Sequence, residues 1–448
     1  MTLTTGLSHL PSLIAEASAL RIHASVSTIS GMELRAAGLG QEARIGNQVI
    51  VADRVRGEIV GLHEGAATIV PYGSWAGIAA GDRVELVMRA PAIRPDLGWI
   101  GRVVDAFGNP LDGRSLAVGP QDYPYLASPP DAMERREVGE KLETGVRALD
   151  VFVPLCRGQR LGIFAGSGVG KSTLMSMLAR HADADVIVIG LIGERGREVQ
   201  SFIQRDLGPE GMSRSVLVVA TSDQPSLTRR QAAWTATAVA EYFRDQGLHV
   251  LLMLDSVTRF AMAQREIGLS AGEPPTQKGY TPTVFLELPK LLERSGPGSD
   301  RCGQGDITAI YTVLVDGDDT NEPIADTVRG ILDGHIFLDR KIAEQGRYPA
   351  INIQKSISRM LPHCHNEAEN MIMTAARRAM ARQADMDELI RIGAYQAGSD
   401  PEVDRAIRLA SREQEFLAQP IGETHGSMVT FANLYGILLD CGFDLPRV

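Results

Sequence analysis

Lys171, Ser172 and Thr173 follow directly on Gly166-Ser167-Gly168-Val169-Gly170. A lysine and a hydroxyl residue placed after closely spaced glycines can hold a polyphosphate. The glycines let backbone N–H groups turn inward around an anion, Lys171 adds a full positive charge, and Ser172 offers a hydroxyl to Mg²⁺. The pattern is G-x-x-x-x-G-K-[ST], with Ala165 in the place of the first glycine, the smallest possible departure. Ala165 through Thr173 therefore read as the loop that binds a nucleoside triphosphate.

Two acidic positions belong with it. The apolar run 250–254 ends in Asp255-Ser256, and a carboxylate at the end of such a strand is the expected magnesium-side half of a nucleotide site. The segment Gly193-Glu194-Arg195-Gly196-Arg197-Glu198 follows the apolar run 186–192. Charged side chains at the C-terminal edge of a parallel strand face the crevice where ligands bind. Glu194 is the candidate for orienting or deprotonating an attacking water, and Glu198 is the competing carboxylate.

Elements must exist to position these groups. The residues before the loop, Leu161, Ile163 and Phe164, read as a strand, and those after Thr173 as a helix. Apolar runs at 186–192, 215–221, 249–255 and 306–315 alternate with helical patterns, which predicts a mainly parallel sheet covered on both faces. Upstream, residues 22–90 hold short β-branched runs punctuated by Gly, Asn, Asp and Pro, the signature of a small barrel or sandwich. From about residue 360 the pattern turns helical, with Ser399 or Asp400 as candidate cap and Pro401 in the first turn of a later helix. Residues 7–20 carry Leu7, Leu10, Leu13, Ile14 and Ala17 at helical spacing. That segment is either a helix packed on its own domain or a partner-binding arm.

Composition narrows the function classes. With 448 residues, 44% hydrophobic and 22% charged, the chain is of the soluble globular type and long enough for two to three domains. A formal net charge of −10 argues against a broad basic nucleic-acid surface. There is no apolar run of membrane-spanning length, and the N-terminus lacks the basic start of a signal peptide. Cys156, Cys302, Cys364 and Cys441 form no C-x-x-C pair, which favours free thiols and a cytoplasmic setting. His363-Cys364-His365 is not a metal site on this reading, because adjacent side chains diverge.

Longer stretches carry a resemblance. These are GRVVDAFGNPLDG at 101–113, ETGVRALDVFVPL at 143–155, LIGERGREVQSFI at 191–203 and DSVTRFAMAQREIGLSAGEPPTQKGYTP at 255–282. To them are added YTVLVDGDDTNEPIADTVRGILDGHI at 311–336 and QGRYPAINIQKSISR at 345–359. Over almost the whole chain they resemble the catalytic subunits of the rotary ATP synthase family, and most closely its flagellum-specific ATPases of type III protein export. The resemblance implies an α/β protein with an N-terminal β-barrel, a central RecA-like P-loop ATPase domain and a C-terminal helical domain. The corresponding divisions are an N-terminal partner-binding segment at 1–22, the barrel at 23–92, the ATPase domain at 93–365 and the helical domain at 366–448.

By position in the matching motifs, Lys171 binds the β- and γ-phosphates, Ser172 and Asp255 serve Mg²⁺, and Glu194 places the attacking water. Arg195 and Arg259 match arginines lining the same pocket, and Tyr348 matches a tyrosine stacked on adenine. Arg359 matches an arginine that a neighbouring subunit inserts into the site, a role worth roughly 10³–10⁵ in rate in nucleotide hydrolases. Glu194 and Arg359 in one chain imply a homo-oligomeric ring, six-membered by family expectation.

The resemblance further implies a regulatory or stator protein at the N-terminal segment, a central stalk protein, export-gate membrane proteins, export chaperones and cargo. No specific nucleic acid is implied. The location it implies is cytoplasmic, at the inner-membrane face through partners. A virulence-type secretion ATPase is the alternative. A proton-translocating synthase subunit is disfavoured, because Met386–Arg391 holds only the acidic pair Asp387-Glu388 where the synthase has an acidic cluster. An RNA-translocating hexameric helicase is disfavoured by charge and by the lack of an aromatic, basic face.

Overall fold

The computed structural model describes residues 21–31, 33–315 and 322–446. The amphipathic run 7–20, and with it nearly all of the segment 1–22, lies outside them. The chain divides into two compact units, one of residues 1–92, 224–230 and 262–284, the other of 93–223, 231–261 and 285–448.

In the first unit, strands β1 His23–Ser30, β2 Glu33–Ala37, β3 Gln48–Val51, β4 Val55–His63, β5 Ala66–Pro71 and β6 Arg83–Leu86 close into a barrel. The order around it is β1-β2-β5-β4-β3-β6, antiparallel throughout. Alternation along each strand sends Val26, Leu34, Ala36, Val49, Val51, Ile59, Ile69, Val84 and Leu86 inward to a continuous core. Closure leaves no open edge, so the barrel alternative of the sequence reading is the one realised. Beside it, Glu58 is buried and accepts from Arg230 Nη2 at 2.6 Å and from Tyr72 Oη at 2.7 Å.

The remaining strands, in chain order, are β7 Ala92–Ile93, β8 Arg102–Val104, β9 Tyr123–Pro124, β10 Lys141–Leu142, β11 Leu155–Cys156 and β12 Arg160–Ala165. After these come β13 Val186–Glu194, β14 Ser215–Thr221, β15 Val250–Asp255, β16 Ile307–Leu314, β17 Gly334–Leu338 and β18 Ile357–Ser358. Eight of them form one sheet, β18-β17-β12-β16-β15-β13-β14-β8. Every pairing in it is parallel except β17 with β18. β13 is buried from Val186 to Gly193 without interruption. A strand with no solvent face needs cover on both sides, which the intervening helices supply.

The C-terminal helices are Glu367–Arg391, Pro401–Leu417 and Ser427–Asp440. Asn366 caps the first in a reciprocal capping box with Glu369, and Asp400 caps the second by accepting from the N–H groups of Glu402 and Val403. Their buried faces (Ile372, Ala376, Leu409 and Leu434 among others) merge with the core under the sheet. None of the described helices is long and apolar enough to cross a membrane.

The conspicuous His363-Cys364-His365 run serves packing. His365 is buried edge-on to Phe431 at 5.2 Å and meets the Asp150 carbonyl at 3.3 Å. The Cys156 and Cys364 thiols lie within hydrogen-bonding reach of each other. No group of three or more His, Cys, Asp or Glu side chains is placed to hold a metal ion among the described residues.

The Asp150 carboxyl accepts from Thr144 N at 2.9 Å and Thr144 Oγ1 at 2.6 Å. Burial raises it to about 7, against the opposing pull of those two bonds. Its folded-state value lies above the unfolded one. The stabilisation is therefore complete below the ordinary carboxylate range and lost as pH rises through about 7. The displacement corresponds to about 4 kcal/mol. The thermal midpoint of the protein should accordingly fall more steeply between acidic and mildly alkaline pH than that of an Asp150→Asn variant; parallel profiles would remove Asp150 as the source.

Candidate functional site

The four adjacent strands β12, β16, β15 and β13 end at one edge of the sheet, and each delivers one part of the site there. Their registers align Ala165 with Leu314, Leu254 with Tyr311, and Asp255 with Leu191. The loop 166–170 leaves the end of β12 and the helix Lys171–His181 begins immediately after it. Gly168 and Gly170 hold φ of +76° and +97°, left-handed values that a β-carbon resists. That conformation turns the loop over the helix N-terminus, where the unpaired N–H groups and the dipole favour an anion. From β17's end, Arg340 Nη2 donates to the Ser167 carbonyl at 3.2 Å.

Lys171, Glu194 and Asp255 meet at this edge. The Lys171 amine contacts Asp255 Oδ1 closely and lies 3.4 Å from Glu194 Oε1. Asp255 is fixed from β16, because Thr312 Oγ1 donates to its Oδ1 at 2.7 Å. Burial works to lower the lysine's pKa, but the carboxylates of Asp255 and Glu194 outweigh it and the amine ends above its ordinary value. Burial raises the Glu194 carboxyl; Lys171 opposes this, while Asp255 and a hydrogen bond with Glu198 reinforce it. One cation thus serves two acids that repel each other, a poised arrangement typical of functional sites.

Beside them opens a cavity of about 160 Å³ lined by Ser172, Leu191, Glu194, Glu198, Val199, Ser201, Phe202, Asp206 and Asp255. Its donors are hydroxyls and carboxylates, the oxygen ligands that suit Mg²⁺, a cation that keeps water and substrate phosphates as most of its shell. The residues present therefore fit the ion. Phe202 and Asp206 enter the lining by a route that the sequence did not signal. The helix following Gly196 widens to a π-helical turn over Phe202–Leu207, which changes the face each side chain occupies.

Other predicted residues take different places. The Tyr348 ring lies against Gly170, where a β-carbon would come within 3.2 Å of it. Its backbone carbonyl accepts from Gln419 N at 2.8 Å. Arg195 is 81% exposed and pairs with Glu198 at 3.4 Å. The Arg259 side chain packs over Gly193. Neither arginine lines the cavity. Arg359 is exposed at the end of β18 and does not line it either. Its backbone N–H donates to the Asp333 carbonyl at 3.0 Å.

Comparison with known proteins places this geometry. The nucleotide-binding domain of the ATP synthase alpha/beta family matches residues 145–358, and the beta-barrel domain of that family matches 24–87. The T3SS EscN ATPase C-terminal domain matches 366–435. The flagellum-specific ATP synthase of Caulobacter vibrioides is 53% identical over 427 residues, covering 94% of this chain and 96% of that protein. Among solved structures, the assembled ATPase EscN of the enteropathogenic E. coli type III secretion system is similar at a TM-score of 0.87 and 41% identity, covering 93% of this chain and 100% of EscN. EscN in complex with its central stalk EscO is similar at a TM-score of 0.84 and 40% identity, with the same coverage.

Proposed function

The chain belongs to the ATP synthase alpha/beta family, among the ATP-hydrolysing enzymes of flagellar and type III export, and we propose that it works as a ring of identical subunits that energises export of flagellar proteins. The observation that carries this reading is the division of labour within one chain. Lys171, Glu194 and Asp255 gather around the phosphate loop, while Arg359 stands exposed outside that cavity. A subunit so built has most of one site and the missing piece of another. A closed head-to-tail ring supplies each site with its arginine. The assembled state of EscN supports such a ring, and its complex with EscO supports a central stalk partner here.

The chemistry follows from the residues. The loop N–H groups and Lys171 cradle the phosphates, Lys171 exchanging carboxylate oxygens for phosphate oxygens as ATP enters. Tyr348 offers a flat ring to the base. Mg²⁺, when bound beside Ser172 and Asp255, neutralises charge on the phosphates. Glu194 accepts a hydrogen bond from the attacking water and aligns it with the γ-phosphorus. The bond from the β,γ-bridging oxygen to phosphorus breaks as the new P–O bond forms, and ADP and phosphate leave without a covalent enzyme intermediate. Raised by burial, the Glu194 carboxylate is a better proton acceptor than an exposed one. The neighbour's Arg359 faces the charge that develops on the transferring group.

We also assign to this protein a regulatory or stator partner at the N-terminal segment, and contacts with export-gate membrane proteins, chaperones and cargo. Its place of work is the cytoplasmic face of the inner membrane, reached through those partners. Deletion in the parent bacterium tests the reading. Loss of motility and of flagellar filaments, restored by the intact gene but not by a Lys171→Ala version, is the expected result. Normal filaments with loss of effector secretion alone would assign the protein to a virulence-type system instead.

A further inference from the structure

Arg377 stands in the helix Glu367–Arg391 and spends one nitrogen on three carbonyl groups. Its Nη2 donates to Phe152 O at 3.1 Å, Ile353 O at 3.2 Å and Ser356 O at 3.0 Å. Phe152 ends the short helix Arg147–Phe152, where a cation complements the last carbonyls. Ile353 and Ser356 belong to the run that leads into Arg359. Burial lowers the Arg377 pKa, its Nε is buried without a hydrogen-bond partner, and it forms no ion pair with a carboxylate among the described residues. Keeping a guanidinium desolvated for neutral partners is costly. In return the backbone at 353 and 356 is fixed to the helical bundle on one side and to the core helix on the other.

Beyond Ser356 the chain has little freedom left before Arg359. Ser356 Oγ donates to Asn352 O at 2.6 Å and accepts from Phe337 N at 2.9 Å. Ile357 and Ser358 pair with His335 and Gly334, Ser358 Oγ accepts from Gln159 Nε2 at 3.0 Å, and Arg359 N is tied to Asp333 O. The Arg359 side chain projects, exposed and with no ion pair among the described residues.

We propose that Arg377 is a positioning residue acting in trans: by clamping the backbone at Ile353 and Ser356 it sets the point from which Arg359 reaches the neighbouring subunit's phosphates. This rests on the shared-site ring proposed above. A displacement of about 1 Å at a reacting group can cost about 10²-fold in rate, so Arg377→Ala should lower kcat about that far and leave the KM for ATP nearly unchanged. Arg377→Lys, which keeps a charged donor, should recover part of the loss.

Mixed rings of full-length subunits distinguish positioning from general damage. Arg377→Ala mixed with Lys171→Ala should regain ATPase activity above either alone, because intact loops then face intact arginines. Mixed with Arg359→Ala it should regain none, because every interface then has a faulty arginine. Recovery with Arg359→Ala would place the damage in the subunit's own nucleotide half and overturn the proposal. Failure with Lys171→Ala would show a subunit too disordered to offer either half, and would overturn it as well. The mixture of Arg359→Ala with Lys171→Ala reports on the ring itself. If that control stays inactive, the shared site is wrong and this proposal falls with it; if it recovers, the two arms judge Arg377 alone.

Discussion

Arg359→Ala is expected to lower ATP turnover by about 10³–10⁵-fold, the range over which an inserted arginine acts in nucleotide hydrolases, while ATP binding by each subunit stays near normal. The expectation comes from where the side chain is. It lies outside the cavity of its own subunit and is held there by its backbone, through the β18 pairing and the bond to Asp333. An alanine at this exposed position should cost little stability. Mixing the variant with Lys171→Ala under assembly conditions should restore phosphate release, since each defective chain supplies what the other lacks. Two variants that remain inactive together would mean that Arg359 and Lys171 act in the same subunit, and near-normal turnover by Arg359→Ala alone would make Arg359 a surface residue only.

Glu194→Gln should suppress turnover by about 10²–10⁴-fold, the usual weight of a positioned general base, and leave nucleotide affinity largely intact. The amide keeps the shape and one hydrogen bond but cannot take a proton. It also relieves the repulsion between the Glu194 and Asp255 carboxylates that now share Lys171, so the variant should fold at least as well as the parent. Single-turnover phosphate release alongside equilibrium binding of ATP separates the two effects. Near-normal turnover would move the role to Glu198, which lines the same cavity and shares a hydrogen bond with Glu194.

Much of this site was legible because local sequence rules generate it. Closely spaced glycines before Lys171 dictate a tight anion loop, and uninterrupted apolar runs ending in Glu194 and Asp255 dictate buried parallel strands with charged tips. Other parts depend on distance in space rather than in sequence. Thr312 touches Asp255 because β16 inserts between β12 and β15, an order that no periodicity encodes. Asp206 reaches the cavity through a π-helical turn, which a 3.6-residue reading cannot anticipate. Arg377 reads as one more polar position on an amphipathic helix, and only its three carbonyl partners set it apart.

The run from Tyr348 to Arg359 has a further consequence. One end lies against the phosphate loop of its own subunit, and the other ends in the side chain assigned to the next. Between them the backbone is tied to β17 and to the helical bundle, so it has little slack in which to absorb movement. A stiff segment of this kind behaves as a connecting rod. In the ring proposed above, whatever ATP did to the tyrosine at one end, the arginine at the other would deliver to a different molecule of ATP. On that proposal, firing around the ring would become a question of phase, with the order of events written into a single stretch of each chain.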